Sequence, residues 1–116
     1  LIVVALTGSR GGDVANDMGV RVAREAFIDR AVNSDGSLVS RSLKGSVLDD
    51  VDQVIARTLS IVNDGVVKAI SGEEIALQAD TICIHGDTPN APEIARLVNL
   101  ELKKSGVQIQ SMGDFL

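Results

Sequence analysis

The chain has 116 residues, enough for one domain with a modest hydrophobic core. Hydrophobic residues make up 45% of it, but only two Phe are aromatic, so Val, Ile, Leu and Ala must build the core. Sixteen acidic against eleven basic residues give a net charge of −5, which argues against a nucleic-acid partner. No apolar run approaches the ~20 residues needed to span a bilayer. We therefore expect a cytoplasmic protein with neither a membrane nor a nucleic-acid partner.

The first six residues form a continuous apolar run, which predicts a central parallel strand. A glycine-containing loop follows at residues 7–12. Its spacing fits neither the dinucleotide fingerprint nor a Walker A sequence, so a plain turn is the better interpretation. A short helix is predicted over residues 13–18, with Gly19 ending it. Because the chain opens at Leu1 directly into a strand, we expect a further portion ahead of it.

A second strand is predicted to begin at residue 20 and to lead into a charged cluster at residues 24–30. Two interpretations of this cluster remain open. It is either a solvated helix start held by ion pairs, or the end of a buried strand whose charges converge on a pocket. The four charged side chains concerned are Arg24, Glu25, Asp29 and Arg30.

The middle of the chain predicts a long loop, a helix and a small ribbon. Residues 33–45 are rich in turn-forming residues, and loops of this length are often functional. Arg41 or Lys44 in this loop is placed to neutralise an anionic ligand, although solvated charges are the simpler interpretation. A helix with one apolar face begins after Asp49 or Asp50 and ends at Gly65. Residues 66–70 and 74–77 then predict two short antiparallel strands.

The most informative stretch is residues 81–93. An apolar run at residues 82–84 predicts a strand buried on both faces, and it leads straight into His85, Gly86 and Asp87. A helix follows, for which Asn90 and Glu93 predict a capping box. His85 and Asp87 therefore follow the carboxyl end of a strand, where parallel α/β proteins bind ligands.

The last predicted elements are this helix, which ends near Lys104, and a short strand at residues 107–109. The alternating order predicts an α/β fold with a parallel sheet, helices and a small β-ribbon. So few strands leave open edges, which predict self-association into a homo-oligomer. A section of a (β/α) barrel accounts for both the open edges and the abrupt start.

His85 is the only histidine, and Gly86 beside it permits an unusual backbone conformation or close approach of a ligand. Asp87 is near enough to orient the imidazole or to help bind a cation. A metal site needs three or four protein ligands, and this sequence does not supply a complete set. Cys83 is interpreted as a small buried hydrophobic residue.

Two separated motifs resemble the LamB/YcsF family of lactam-utilisation proteins. The first is Arg-Glu-Ala-Phe-Ile-Asp-Arg at residues 24–30, with the loop that follows it at residues 33–41. The second is Ala-Asp-Thr-Ile-Cys-Ile-His-Gly-Asp at residues 79–87. Their order and spacing fit over nearly the whole chain. Val32 departs from the family pattern, in which we expect Tyr.

The resemblance implies that this chain is the carboxyl-terminal half of a protein about twice its length. The fold implied is part of a (β/α) barrel of the glycoside hydrolase/deacetylase type. The activity implied is that of the A subunit of 5-oxoprolinase, which with the B and C subunits converts 5-oxoproline to glutamate while ATP is hydrolysed. The amino-terminal half would complete the site, so the isolated chain is expected to be inactive.

The resemblance also implies roles for individual residues. The catalytic candidates are His85, Asp87, Glu25 and Asp29. His85 would act as general acid and base or as oxyanion partner, Asp87 would orient it, and Glu25 or Asp29 would position water. Arg30, with Arg24 and Gly86, would bind substrate, Arg30 through the substrate carboxylate. Two other functions are considered: a non-catalytic binding or assembly fragment, and a metal-dependent deacetylase-like hydrolase.

Overall fold

The computed structural model describes residues 1–116 and contains a parallel three-stranded sheet. Its strands are β1 (Ile2–Leu6), β2 (Arg21–Phe27) and β5 (Thr81–Cys83), in the spatial order β1-β2-β5. Two further strands, β3 (Val66–Lys68) and β4 (Glu74–Ala76), form a separate antiparallel ribbon. The predicted parallel sheet and the predicted ribbon are both confirmed.

The first helix, α1 (Arg10–Asp17), begins three residues before its predicted start. Ser9 causes the difference, because its side-chain oxygen accepts a hydrogen bond from the backbone N–H of Gly12 at 3.3 Å and caps the helix. Half of the loop predicted at residues 7–12 is therefore the first turn of α1.

The second helix, α2 (Val51–Leu59), begins at an Asp50 cap, as predicted. It continues as one π-helical turn, Ser60–Asp64. Gly65 then ends it with a φ of 67°, in the left-handed region that glycine adopts without a steric penalty. The predicted end of this helix is correct, and only the π-helical turn was not foreseen.

The third helix, α3 (Ala91–Lys104), starts and ends as predicted but is capped differently. Asn90 has a φ of 60° and its side chain makes no capping hydrogen bond, while Glu93 pairs with Arg96 instead. The predicted capping box is therefore wrong. The predicted strand at residues 107–109 is also wrong, because this segment follows α3 through the bond from Val107 N to Leu102 O and reaches no strand edge.

The helices cover one face of the main sheet. Gly12 of α1 lies against Ala5 and Val22. The core between the sheet and the other two helices contains Ala26, Ile28, Val54, Ile94, Val98 and Leu102. No helix packs against the opposite face, where Val4, Glu25, Phe27 and Cys83 keep partial exposure. We call this the open face.

The charged cluster at residues 24–30 lies in and just after β2, so the interpretation as a helix start is wrong. Arg24 and Glu25 belong to the strand, and Asp29 and Arg30 follow its carboxyl end. Leu48 N donates to Asp29 O at 2.8 Å, and Ala31 N donates to Ser46 O at 2.9 Å. Residues 46–48 are thus hydrogen-bonded to residues 29–31, and this pairing joins the two ends of the loop predicted at residues 33–45.

The core packing of α3 gives a direct test of this arrangement. Ile94 is 0% exposed, whereas Leu100 on the same helix is 42% exposed. Ile94→Ala is expected to lower the free energy of unfolding by about 2–5 kcal/mol, because it removes buried methyl groups and leaves a cavity. Leu100→Ala, the matched control, should cost less than about 1 kcal/mol. Urea denaturation measures both, and equal losses would contradict the packing described.

Candidate functional site at the carboxyl edge of the sheet

The site is built around the carboxylate of Asp29, which is 0% exposed. Its Oδ2 accepts hydrogen bonds from the backbone N–H of His85 at 2.7 Å and from the hydroxyl of Thr88 at 2.7 Å. Its Oδ1 lies 2.9 Å from Nδ1 of His85. The carboxylate therefore joins the end of β2 to the turn after β5.

These hydrogen bonds also set the ionisation of Asp29. Burial acts to raise the pKa of this carboxyl, but the hydrogen bonds from Thr88 and His85 outweigh it and lower the pKa below its ordinary value. An ionised carboxylate can only accept hydrogen bonds, so Nδ1 of His85 carries a hydrogen. In the neutral imidazole, Nε2 is then the basic nitrogen.

A second contact fixes the plane of the imidazole. The ring of Phe27, at the end of β2, meets the ring of His85 edge to face, with 4.6 Å between centroids and 83° between planes. His85 is therefore held by a carboxylate and by an aromatic ring. Its side chain remains 25% exposed, so solvent or a substrate reaches it.

Thr88 belongs to the site although its sequence position did not single it out. It is 5% exposed, its N–H donates to His85 O at 3.1 Å, and its hydroxyl reaches Asp29. The available signal was a hydroxyl residue three positions after His85, just before Pro89, which is consistent with a tight turn.

The carboxylate that orients His85 is Asp29, whereas Asp87 was predicted for this role. Asp87 is exposed and pairs with Arg41, whose Nη1 lies 3.0 Å from Oδ2 of Asp87. That hydrogen bond, with the charge of Arg41, lowers the pKa of Asp87. Asp29 has no exposed surface and both of its oxygens contact His85, so it holds His85, and its role in positioning water stays a prediction.

Glu25 lies on the open face, two residues before Phe27 in β2 and opposite Thr81 of β5. Its side chain makes no ion pair or hydrogen bond within the chain, so the carboxylate is free to bind water. Burial raises the pKa of the neighbouring Cys83 thiol, and the charges of Glu25 and Asp29 raise it further. Cys83 is therefore a thiol rather than a thiolate near neutral pH.

Arg30 is 7% exposed and points into the loop that follows it. Its Nη2 donates to Val39 O at 2.9 Å, and its buried Nε has no partner. The carbonyl of Arg30 accepts a hydrogen bond from Nη2 of Arg57 at 2.9 Å. In this structure Arg30 holds the backbone of the loop, and its role in binding substrate stays a prediction.

Arg24 lies apart from His85, at the amino end of β5. Two of its guanidinium nitrogens each donate at 2.8 Å to the carboxylate of Asp80, and the third nitrogen contacts Gln78. The ion-pair network considered among Arg24, Glu25, Asp29 and Arg30 does not form.

Gly86 does not adopt a positive φ, so the expectation of an unusual backbone conformation is wrong. Nothing lies within 4 Å of the position that a Cβ would take there. Close approach of a ligand over Gly86 therefore stays a prediction.

The site is an open surface in this chain. None of its four cavities is lined by His85 or Asp29, and the cavity of about 330 Å³ beneath α3 is separate. No group of three or more His, Cys, Asp and Glu side chains is arranged to hold a metal ion. No helix is long and apolar enough to cross a membrane.

Two polar groups of the glycine-containing segment after β1 are used within the fold. The N–H of Gly12 is taken by the Ser9 cap, and the hydroxyl of Thr7 donates to Gln78 O at 2.7 Å.

Comparison with known proteins identifies the family of this chain. The profile of the LamB/YcsF family matches residues 1–116. The chain belongs to this family. It is 50% identical over all 116 residues to the 5-oxoprolinase A subunit of Pyrococcus furiosus, covering 46% of that protein. It is 48% identical over 111 residues to the 5-oxoprolinase A subunit of Photorhabdus laumondii, covering 44% of it.

A solved structure gives the same result for the fold. The lactam utilization protein from Thermus thermophilus superimposes with a TM-score of 0.88 at 41% identity, over 97% of this chain and 44% of that one. This member of the LamB/YcsF family thus spans less than half the length of the relatives it matches.

The tautomer of His85 is a measurable consequence of the site. In Asp29→Asn the side-chain oxygen is expected to stay with the N–H of His85 and the hydroxyl of Thr88, which both donate. The new amide nitrogen then faces Nδ1 and donates to it, so the ring hydrogen moves to Nε2. Because His85 is the only histidine, ¹⁵N–¹H NMR of its ring reports the change without overlap.

Thr88→Val is the matched control for that experiment. It removes one hydrogen bond to Asp29 but leaves the carboxylate, so Nδ1 should keep its hydrogen. The same Nδ1–H tautomer in Asp29→Asn and in the wild type would contradict the proposed geometry.

The lowered pKa of Asp29 predicts a pH dependence of stability. Its ordinary value is 3.8, and a pKa that is lower in the folded state gives stability that is present above this value. This stability is lost as the pH falls through the folded pKa. The difference in free energy of unfolding between wild type and Asp29→Asn should therefore shrink below about pH 4.

Urea denaturation from about pH 6 to about pH 2.5 measures that difference. The other carboxyls with a lowered pKa titrate in both proteins and cancel; they are Asp35, Asp80, Asp87 and Glu93. A difference that stays constant over this range would show that the pKa of Asp29 is the same in the folded and unfolded states, and a difference that grows as the pH falls would show that folding raises it.

Proposed function

We propose that this chain is part of the A subunit of a 5-oxoprolinase and that it supplies the acid–base group for opening the lactam ring of 5-oxoproline. The observation that supports this most directly is the bonding of His85 to the buried Asp29, in a family whose curated relatives are called A subunits of 5-oxoprolinase. A surface histidine without a function does not need a buried carboxylate to fix its tautomer. A histidine that transfers protons needs one, because the tautomer decides which ring nitrogen accepts the proton.

The proposed mechanism assigns the proton transfers to His85. Its Nε2 takes a proton from a water molecule as the water oxygen attacks the lactam carbonyl carbon. The same imidazole then gives this proton to the ring nitrogen as the carbon–nitrogen bond breaks. Water is thus added across the amide bond, which yields the carboxylate and the amine of glutamate. Asp29 stays ionised throughout and stabilises the imidazolium.

Glu25 is the candidate for holding the attacking water. It lies on the open face near the end of β2, partly exposed and without a partner in the chain.

We assign the hydrolysis of ATP to the assembled complex, in which the B and C subunits would supply the phosphorylating machinery. The complex is proposed to act in the cytoplasm. No step of the mechanism in this chain is assigned to ATP.

Closure into a (β/α) barrel is likewise part of the proposal. The open face and the absence of a cavity at His85 fit a site whose other wall lies in the part of the relatives outside the match. We define the extended chain as this chain joined to that part of the Pyrococcus furiosus protein.

The same observations favour one alternative, a non-catalytic binding or assembly fragment. A chain with an exposed histidine and no enclosed cavity lacks the exclusion of water that amide opening benefits from. Activity of the extended chain separates the two functions.

The test measures glutamate released from 5-oxoproline in the presence of ATP and purified partner subunits. Activity is expected only with the extended chain. Within it, His85→Ala should lower kcat by roughly 100-fold or more, because general acid–base catalysis contributes about 10²–10⁴-fold. Full activity of His85→Ala would remove the catalytic role.

The control within the extended chain is Arg96→Ala, which breaks an exposed ion pair with Glu93 on α3 and should leave the rate unchanged. No glutamate from the extended chain would favour the binding-fragment alternative. Activity of the short chain would show that the other wall is not required.

A further inference from the structure

An exposed guanidinium, that of Arg41, lies at the same edge of the sheet as His85. Its Nη1 reaches Asp87, two residues beyond His85, across 46 positions of sequence. Its side chain is 50% exposed. Neither Nε nor Nη2 of Arg41 donates a hydrogen bond within the chain, so one edge of the guanidinium is free.

The backbone that carries Arg41 is fixed. Its carbonyl accepts a hydrogen bond at 3.3 Å from the hydroxyl of Ser46, which is itself 3% exposed. Two residues earlier, Val39 is 1% exposed, and its carbonyl accepts the hydrogen bond from Arg30. These hydrogen bonds thus hold the backbone at Arg41 and two residues before it.

We propose that Arg41, rather than Arg30, binds the carboxylate of the lactam substrate through its free Nε–Nη2 edge while Nη1 stays on Asp87. This inference rests on the proposed function, because it deepens the recognition of 5-oxoproline at that site. The planar guanidinium suits the task, since two of its parallel N–H groups match the two oxygens of one carboxylate.

Burial separates the two arginines as candidates. Arg30 has almost no exposed surface, and moving it to a substrate would break its bond to Val39 O and release the loop. Arg41 needs no such movement. Its exposed ion pair with Asp87 is of the weak kind found on surfaces. This pair orients the guanidinium through Nη1 and leaves Nε and Nη2 free to bind another group. Asp87 is therefore a positioning residue for Arg41.

The test uses the extended chain assembled with the partner subunits, and two lactams that differ only in the carboxylate. Kinetics with 5-oxoproline give KM and kcat, and 2-pyrrolidinone, which has the same ring without the carboxylate, gives an inhibition constant. Arg41→Ala should raise KM for 5-oxoproline roughly 10- to 100-fold, because a charge-assisted pair is lost. The inhibition constant of 2-pyrrolidinone should not change.

Two further variants sharpen the result. Arg41→Lys should recover KM only in part, because an ammonium cannot bind both carboxylate oxygens in parallel. Arg96→Ala, which also removes an exposed arginine from an ion pair, should change neither constant. Should Arg41→Ala fail to fold, Arg41→Gln takes its place, because it keeps the size and polarity of the side chain.

The outcomes separate this inference from the proposed function. An active wild type with an unchanged KM in Arg41→Ala overturns the role of Arg41 and leaves the proposed function standing. Equal weakening of 5-oxoproline and 2-pyrrolidinone also overturns it, since Arg41 would then only maintain the shape of the site. A wild-type extended chain that releases no glutamate overturns both.

Discussion

The buried carboxylate of Asp29 is the interaction on which the site depends. A charge with no exposed surface is costly unless hydrogen bonds replace its water, and here three donors from a single turn do so. Loss of one such donor from a buried group costs about 1–3 kcal/mol, so the turn and the carboxylate stabilise each other. The same hydrogen bonds that keep Asp29 ionised leave Nε2 of His85 as the basic nitrogen. One set of hydrogen bonds thus both stabilises the turn and sets the tautomer of the imidazole.

Two neighbouring residues that follow the end of β2 each hold one segment at this edge of the sheet. Asp29 fixes the turn that carries His85, and Arg30 fixes the loop that carries Arg41. Each does so with a buried charged group that contacts backbone of the segment it holds. The groups left exposed are then the imidazole and the guanidinium. Such a separation of buried supporting groups from exposed ones is what the proposed site requires for preorganisation.

Sequence patterns located this edge correctly, but they assigned its contacts incorrectly. Apolar runs and helical periodicity predicted the five strands that form, the three main helices and the place of His85, because these patterns are local; the strand predicted at residues 107–109 does not form. The partner of His85 lies 56 residues away, so proximity in sequence favoured Asp87 instead of Asp29. The predicted cap at Asn90 is wrong for a different reason. The backbone of Asn90 adopts the left-handed region, and its side chain makes no hydrogen bond to the helix.

The contact missed in that way follows from the strand register. In the parallel pairing of β2 with β5, Phe27 stands opposite Cys83. Two residues further along each segment, Asp29 comes level with His85, and side chains two apart share a face. A slip of one residue would set Asp29 opposite Ile84 and turn every later side chain to the other face. Register, which depends on packing of the whole sheet and not on any local motif, therefore brings Asp29 and His85 together.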